Sequence, residues 1–307
     1  MPLAPPLRIG TRGSAMALYQ ARLVRDRLQA AHPGLAFDIV PIRTTGDREQ
    51  HRLLAEIGGK GLFTKEIEAA LLDRRIDLAV HSLKDMETVL PQGLEIGCVL
   101  PRDDPRDALV TRGGTPLAAL PAGARVGTAS LRRRAQLLRL RPDLAVVPVR
   151  GNVDTRLAKL AAGEVDALLL AWCGLERLGR GDAAAEIMAP ETMLPAVGQG
   201  ALAIECRSGD SAVAPLLAPL HDAGSAACVA AERAMLAALD GSCRTPIAGL
   251  AELAGGGRLR LTALLLTPDG GGARRAEGEA ETGAAAALGA RLGAQLRSGA
   301  GPEFGFG

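Results

Sequence analysis

Cys243 stands in the polar turn D-G-S-C-R-T-P-I, residues 240–247. A structural cysteine normally lies inside an apolar run. This one has Ser242 and Arg244 beside it and Gly241 to free the backbone. A neighbouring cation favours the thiolate, the form that attacks or is covalently loaded. The other cysteines, Cys98, Cys173, Cys206 and Cys228, show no C-x-x-C spacing. Neither a zinc ribbon nor a disulfide framework fits, so no metal is expected, and a reducing cytoplasm is the simplest compartment.

The basic residues follow a pattern of their own. Arg12 follows a strand in G-T-R-G-S, and Lys60 lies in the glycine loop G-G-K-G. Lys84 and Asp85 follow a strand in H-S-L-K-D, and Arg132 and Arg133 fall in the first turn of a helix opened by Ser130. Arg150 ends a strand, Arg156 sits in the next helix, and Arg177 follows another strand in C-G-L-E-R-L. In open α/β sheets, ligands bind beyond the carboxyl ends of the strands. These cations are therefore expected on one face, at a cleft between two sheets. A helix N-terminus disfavours cations, so Arg132 and Arg133 need an anion there, a carboxylate or phosphate. G-G-K-G-L-F-T lacks the spacing of a G-x-x-x-x-G-K-[ST] loop. Asp85 is either a salt-bridge partner of those cations or a carboxylate facing a transient cation or N–H donor. Arg134, Arg139 and Arg141 read as a solvated face.

Alternating elements must position these residues. Strands are expected at residues 7–11, 35–42, 77–80, 124–128, 144–151, 165–171 and 200–206. Helices are expected from Ser14 to His32 and at 65–74, 130–140, 153–162 and 226–239. The alternation implies a largely parallel sheet with crossover helices. P-R-D-D-P-R-D, residues 101–107, reads as a hinge, and M-L-P-A-V-G-Q-G, residues 193–200, as a second break. A meander (259–266, then 274–281), an alanine-rich helix (284–296) and a loose tail follow.

At 307 residues the chain is long enough for two or three domains. Aromatics make up only 2%, so the core must be Ala, Leu and Val, and base-stacking nucleic-acid binding is disfavoured. The net charge of +2 provides no global field for polyanions. No apolar run approaches 18 residues and no signal-peptide pattern opens the chain, so no membrane association is expected.

Together the segments resemble the porphobilinogen deaminase (hydroxymethylbilane synthase) family. The resemblance runs through I-G-T-R-G-S, T-T-G-D, G-G-K-G-L-F-T-K-E-I-E, D-L-A-V-H-S-L-K-D, P-R-D-D-P-R-D, V-G-T-A-S-L-R-R-R-A-Q, V-R-G-N-V-D-T-R-L, G-L-E-R-L-G, L-P-A-V-G-Q-G-A-L-A-I-E-C-R and G-S-C-R-T-P-I. It implies two α/β domains like periplasmic binding proteins around a cleft, plus a small α+β C-terminal domain. The implied boundaries are 1–101 with 198–220, 102–197, and 221–307. It implies a dipyrromethane cofactor in thioether linkage to Cys243, with Lys84, Asp85, Thr128, Ser130, Arg132, Arg133 and Arg150 holding it. Arg12, Ser14, Lys60, Arg150, Arg156, Arg177 and Gln199 would bind substrate, and Asp85 would be catalytic. The implied reaction joins four porphobilinogen molecules head to tail, releasing ammonia and hydroxymethylbilane, in a cytoplasmic monomer.

The chain departs from the family at Glu87, where Pro is common, and at Trp172 and Cys173, where small residues are usual. Two alternatives come from other classes. A non-catalytic two-domain anion receptor would predict a signal peptide and no reactive thiol. A DNA-binding regulator would need a helix-turn-helix and a basic face.

Overall fold

The computed structural model describes residues 6–48, 61–240 and 245–305. They fall into two compact units, Met1–Arg102 with Ala201–Ala226, and Asp103–Gly200 with Ala227–Gly307.

In the first unit β1 (Leu7–Arg12), β2 (Phe37–Ile42), β3 (Leu78–Ser82), β4 (Leu94–Val99) and β10 (Leu202–Arg207) form one sheet in the order β2-β1-β3-β10-β4. Ser14 caps α1 (Ala15–Ala31) by accepting the Ala17 N–H, and His32 ends it. The buried stripe Ala21, Val24 and Leu28 of α1 packs with Ile9, Leu78 and Ile204 of the sheet. Two shorter helices, α2 (Thr45–Arg48) and α3 (Lys65–Leu72), lead toward β3.

The second unit repeats the plan with β5 (Asp107–Thr111), β6 (Arg125–Gly127), β7 (Ala145–Val147), β8 (Ala167–Ala171) and β9 (Ala184–Ile187), ordered β7-β6-β8-β5-β9. Helices α4 (Leu131–Leu140), α5 (Val153–Ala161) and α6 (Trp172–Arg177) follow β6, β7 and β8. Both sheets are mixed, not largely parallel. β10 runs antiparallel to β3 and β4, and β5 runs antiparallel to β8 and β9. The chain enters β10 and β5 beside the carboxyl ends of β3 and β8 (Leu202 opposite Ser82, Asp107 opposite Ala171), so each strand can only run back. Residues 101–107 thus end inside a sheet, because Asp107 is already in β5.

Beyond α7 (Ala214–Leu217) and α8 (Ala223–Ala238) lies a three-stranded antiparallel sheet. Its strands are β11 (Ile247–Gly255), β12 (Arg258–Leu266) and β13 (Ala273–Glu281). β11 was not expected, since I-A-G-L-A-E-L-A-G carries little β-branched character. The sheet shares a core with α8 and α9 (Ala285–Arg297) through Met235, Leu261, Leu265, Leu288 and Leu292. The tail read as loose also contributes, because Phe304 is buried in that core.

Helices α8 and α9 meet through glycine. A Cβ on Gly289 would lie 2.0 Å from the Ala231 carbonyl oxygen. Gly289→Ala should therefore force the helices apart and lower stability by about 1–3 kcal/mol in urea denaturation. Gly283→Ala, which meets nothing within 4 Å, should be near neutral in the same measurement.

Candidate active site

Two basic residues of the second unit, Arg132 and Arg133, gather on one buried carboxylate. Asp107 is fully buried at the start of β5. Its Oδ2 accepts from Arg132 Nη1 at 2.7 Å, and its Oδ1 accepts from Arg133 Nη2 at 2.7 Å and Nε at 3.1 Å. Gln199 Nε2 donates to the same Oδ1 at 2.8 Å. Ser130 caps α4, accepting the Arg133 N–H at 3.4 Å, and its own N–H donates to Thr128 Oγ1 at 3.2 Å. The anion demanded by two arginines at a helix N-terminus is thus first of all internal. Sequence reading missed Asp107; its signal was the last residue of P-R-D-D-P-R-D, taken for a hinge.

Burial alone would raise the Asp107 carboxyl, and the charges and hydrogen bonds of Arg132 and Arg133 outweigh it, holding it well below the ordinary carboxylate range. Two guanidiniums against one carboxylate leave a net positive charge in a buried place. Among the described residues the Nε of Arg132 there is buried without a hydrogen-bond partner, as is Nη1 of Arg150. Both are donors that an added carboxylate would satisfy. Arg150 lies in the loop after β7, beyond the strand it was expected to end. Arg156 lies in α5, where its Nε donates to the Gly151 carbonyl at 2.8 Å.

Arg177 is the last residue of α6, the short helix that directly follows β8. Its Nε donates to Asp103 Oδ2 and its Nη2 to the Gly200 carbonyl, each at 2.8 Å. Trp172 and Cys173 open this short helix; Cys173 is buried, and Trp172 packs against the core that includes Leu170 and Leu175. Gly198 and Gly200 flank Gln199 with φ of +71° and +88°, a left-handed turn that glycine adopts without strain. The buried carboxylate of Glu232 in α8 accepts the Gly198 N–H at 2.6 Å and the Ala251 N–H at 2.8 Å. It ties that turn to β11.

In the first unit Arg12 ends β1, lies 4.1 Å over the Phe63 ring and donates through Nε to Asp47 Oδ1 at 3.2 Å. Burial pushes the Asp47 carboxyl up, and Arg12 with Thr44 outweighs this, holding it below its ordinary range. Asp85 closes a single 3-10 turn, Leu83–Asp85, directly after β3. It is exposed and makes no hydrogen bond or ion pair among the described residues. Lys84, beside it, is half-buried. His81 is buried on β3 against Glu205 at 3.1 Å, a core role.

Cys243 and Lys60 lie outside the described residues. The four described cysteines are all buried. Burial pushes the Cys98 thiol up to about 12 and the Cys206 thiol up to about 11, which leaves neither nucleophilic at neutral pH. Of the residues expected to form a solvated face, Arg141 does not: it donates to the Leu117 and Leu120 carbonyls at 2.8 Å each.

Residues 7–215 match the family described as porphobilinogen deaminase, dipyromethane cofactor binding domain, and residues 226–298 match the C-terminal domain of the same family. The chain belongs to the porphobilinogen deaminase family. It is 54% identical to a porphobilinogen deaminase of Sorangium cellulosum over 95% of this chain and 99% of that one. It is 56% identical to one of Paracoccus denitrificans over 97% of this chain and 96% of that one. Among solved structures it is similar to the periplasmic aliphatic sulphonate binding protein of Escherichia coli, at 14% identity and a TM-score of 0.42, over 77% of this chain and 71% of that one. The cofactor domain of the family spans the described cationic residues above, and the second domain spans Cys243. Among the described residues no helix is long and apolar enough to cross a membrane.

Because its folded carboxyl is depressed, Asp107 contributes stability that is present above the unfolded value near pH 4 and lost as pH falls below it. Asp107→Asn should lose about 3–5 kcal/mol at pH 7, since two guanidiniums would be left buried without their charge partner. In chemical denaturation the gap between parent and variant should hold from pH 7 to about 5 and shrink below about 4.

Proposed function

We propose that the chain joins four porphobilinogen molecules head to tail on a covalently held dipyrromethane and releases hydroxymethylbilane, with one ammonia lost per addition. The observation that carries this is the match to both domains of the family, from residue 7 to residue 298. The residues present fit the cofactor. Its carboxylates find donors in the buried, unpartnered Nε of Arg132 and Nη1 of Arg150. Arg133, Thr128, Ser130, Lys84 and Asp85 complete the set proposed to hold it. Cys243 is the proposed attachment point, supported by the burial of every other cysteine.

When bound, the dipyrromethane would supply the free pyrrole α-carbon that the first unit joins with loss of its proton, each later unit joining the ring added before it, until water releases the product. The side chains of this protein do the rest. Each porphobilinogen brings an acetate and a propionate, and a guanidinium about 4 Å from a carboxylate gains about 4 kcal/mol at an effective dielectric near 20. Arg12, Arg156 and Arg177, with Ser14, Lys60, Arg150 and Gln199, are proposed to bind those groups. Arg12 and Arg177 are already held by Asp47 and Asp103, which preorganises them and requires a substrate carboxylate to share them. The carbon–nitrogen bond of the porphobilinogen aminomethyl group breaks, ammonia leaves with the bonding pair, and the retained methylene carbon becomes a methylene-pyrrolenine cation. The carboxylate of Asp85, without a partner among the described residues, stabilises that cation and accepts from pyrrole N–H groups.

Residues 221–307 are proposed as a domain of their own, supported by a separate sheet and core and by a second family match beginning at residue 226. A cytoplasmic monomer without nucleic-acid or membrane partners is also proposed. The burial of Cys98, Cys173 and Cys206 as free thiols supports a reducing compartment. The low aromatic content of 2% and the net charge of +2 speak against polyanions. An anion receptor or DNA-binding regulator is not favoured by the family match.

Intact-mass spectrometry of the purified protein should show an excess of two linked pyrrole units over the sequence mass. Cys243→Ala should abolish that excess and turnover, whereas Cys98→Ala should keep both; an unmodified mass in fully active enzyme would exclude the attachment. Asp85→Ala, supplied with preassembled cofactor, should fold and lose about a hundredfold or more in turnover. Parent-like turnover by that variant would leave Asp85 without a catalytic role.

A further inference from the structure

The Gly61–Thr64 turn is a platform for several parts of the first unit. The Gly61 carbonyl accepts from Thr64 N at 3.1 Å and Lys65 N at 3.0 Å, and so starts α3. The Leu62 carbonyl accepts the Gly46 N–H at 2.8 Å, which joins the platform to the T-T-G-D turn holding Asp47. Phe63 presents its ring to Arg12. Nearby on α3, Glu66 Oε1 accepts the Thr45 N–H at 2.8 Å.

The Asp85 turn is anchored differently. Leu83 is buried and its N–H donates to the Ala201 carbonyl at 3.0 Å, and Met86 is buried directly after Asp85. Among the described residues a hydrogen bond joins these two turns across 26 residues of sequence: Gly61 N–H donates to Glu87 Oε1 at 2.7 Å. Gly61 has φ +75°, and Lys65 and Glu68 line the same recess as Glu87. A charged acceptor makes this bond stronger than a neutral one.

We propose that Glu87 is a positioning residue: its carboxylate sets the Gly61–Thr64 turn, and through Phe63 the Arg12 guanidinium, at a fixed distance from Asp85. The proposal rests on the function given above, in which Arg12 meets a substrate carboxylate and Asp85 the reacting pyrrole. Its consequence is that losing the bond loosens substrate binding while cofactor attachment and the Asp85 turn persist.

The test compares the parent with Glu87→Ala and Glu87→Gln in the full-length, cofactor-loaded protein. In Glu87→Ala the Gly61 amide should exchange with deuterium about tenfold faster or more. The KM for porphobilinogen should rise about tenfold while kcat stays within about twofold and the cofactor mass is retained. Glu87→Gln keeps a side-chain carbonyl that accepts the same N–H, so it should return both exchange and KM close to the parent. A parent-like KM in Glu87→Ala overturns the proposal. So does a Glu87→Gln variant as impaired as Glu87→Ala, or a parallel loss of cofactor and melting temperature, either of which marks a purely structural role. A parent that does not consume porphobilinogen would overturn the function instead, and the Gly61 exchange reads the contact independently of turnover.

Discussion

Two guanidiniums buried at the N-terminus of α4 require a carboxylate, and Asp107 provides it. Removing one partner from such a cluster strands charge in a medium that solvates it poorly. The position of Asp107 follows from strand direction. β5 runs antiparallel to β8, so the beginning of β5 lies beside the end of β8. There its carboxylate also accepts from Gln199, and Gln199 lies in the turn held by Glu232. One charged contact thereby ties together the first turn of α4, the V-G-Q-G turn and the helix α8 that leads toward Cys243. The cluster keeps more positive than negative charge, and that surplus suits a cofactor bearing carboxylates.

The first unit uses the opposite arrangement. Its cation, Arg12, is held by Asp47 and Phe63, while its carboxylate, Asp85, has no partner among the described residues. A paired arginine keeps a fixed direction at little further entropic cost when it meets a substrate. An unpaired carboxylate keeps its full charge for a cation that forms only during reaction. The two states of pairing suit the two proposed roles, recognition of permanent charge by Arg12 and stabilisation of transient charge by Asp85.

Much of this was legible in sequence. The helix begun by Ser14, the helix begun by Ser130 and the buried strand ending at Ala171 could be read from capping residues and apolar period. The four strands that were missed, β4, β5, β9 and β11, are short or weakly patterned. They are recognisable only by the neighbours they pair with. The anion that Arg132 and Arg133 require could not be located in sequence, because the ion pair of Arg132 with Asp107 spans 25 residues and no local pattern reports it. Glu87 stood out as a departure, but its partner Gly61 lies 26 residues away.

The sequence by itself determined the family, the alternation of elements, the places where chemistry could occur and the singular setting of Cys243. Those properties reside in local residue types, spacing and order along the chain. Only the tertiary structure decided which charges are spent on one another and which stay open. It turned a supposed hinge residue into the buried anchor of two arginines, placed Arg177 between Asp103 and Gly200, and left Asp85 without a partner among the described residues. Pairing depends on strand direction and on contacts between distant segments, and burial then sets how strongly each pair is held. Neither is written in any single stretch of the chain.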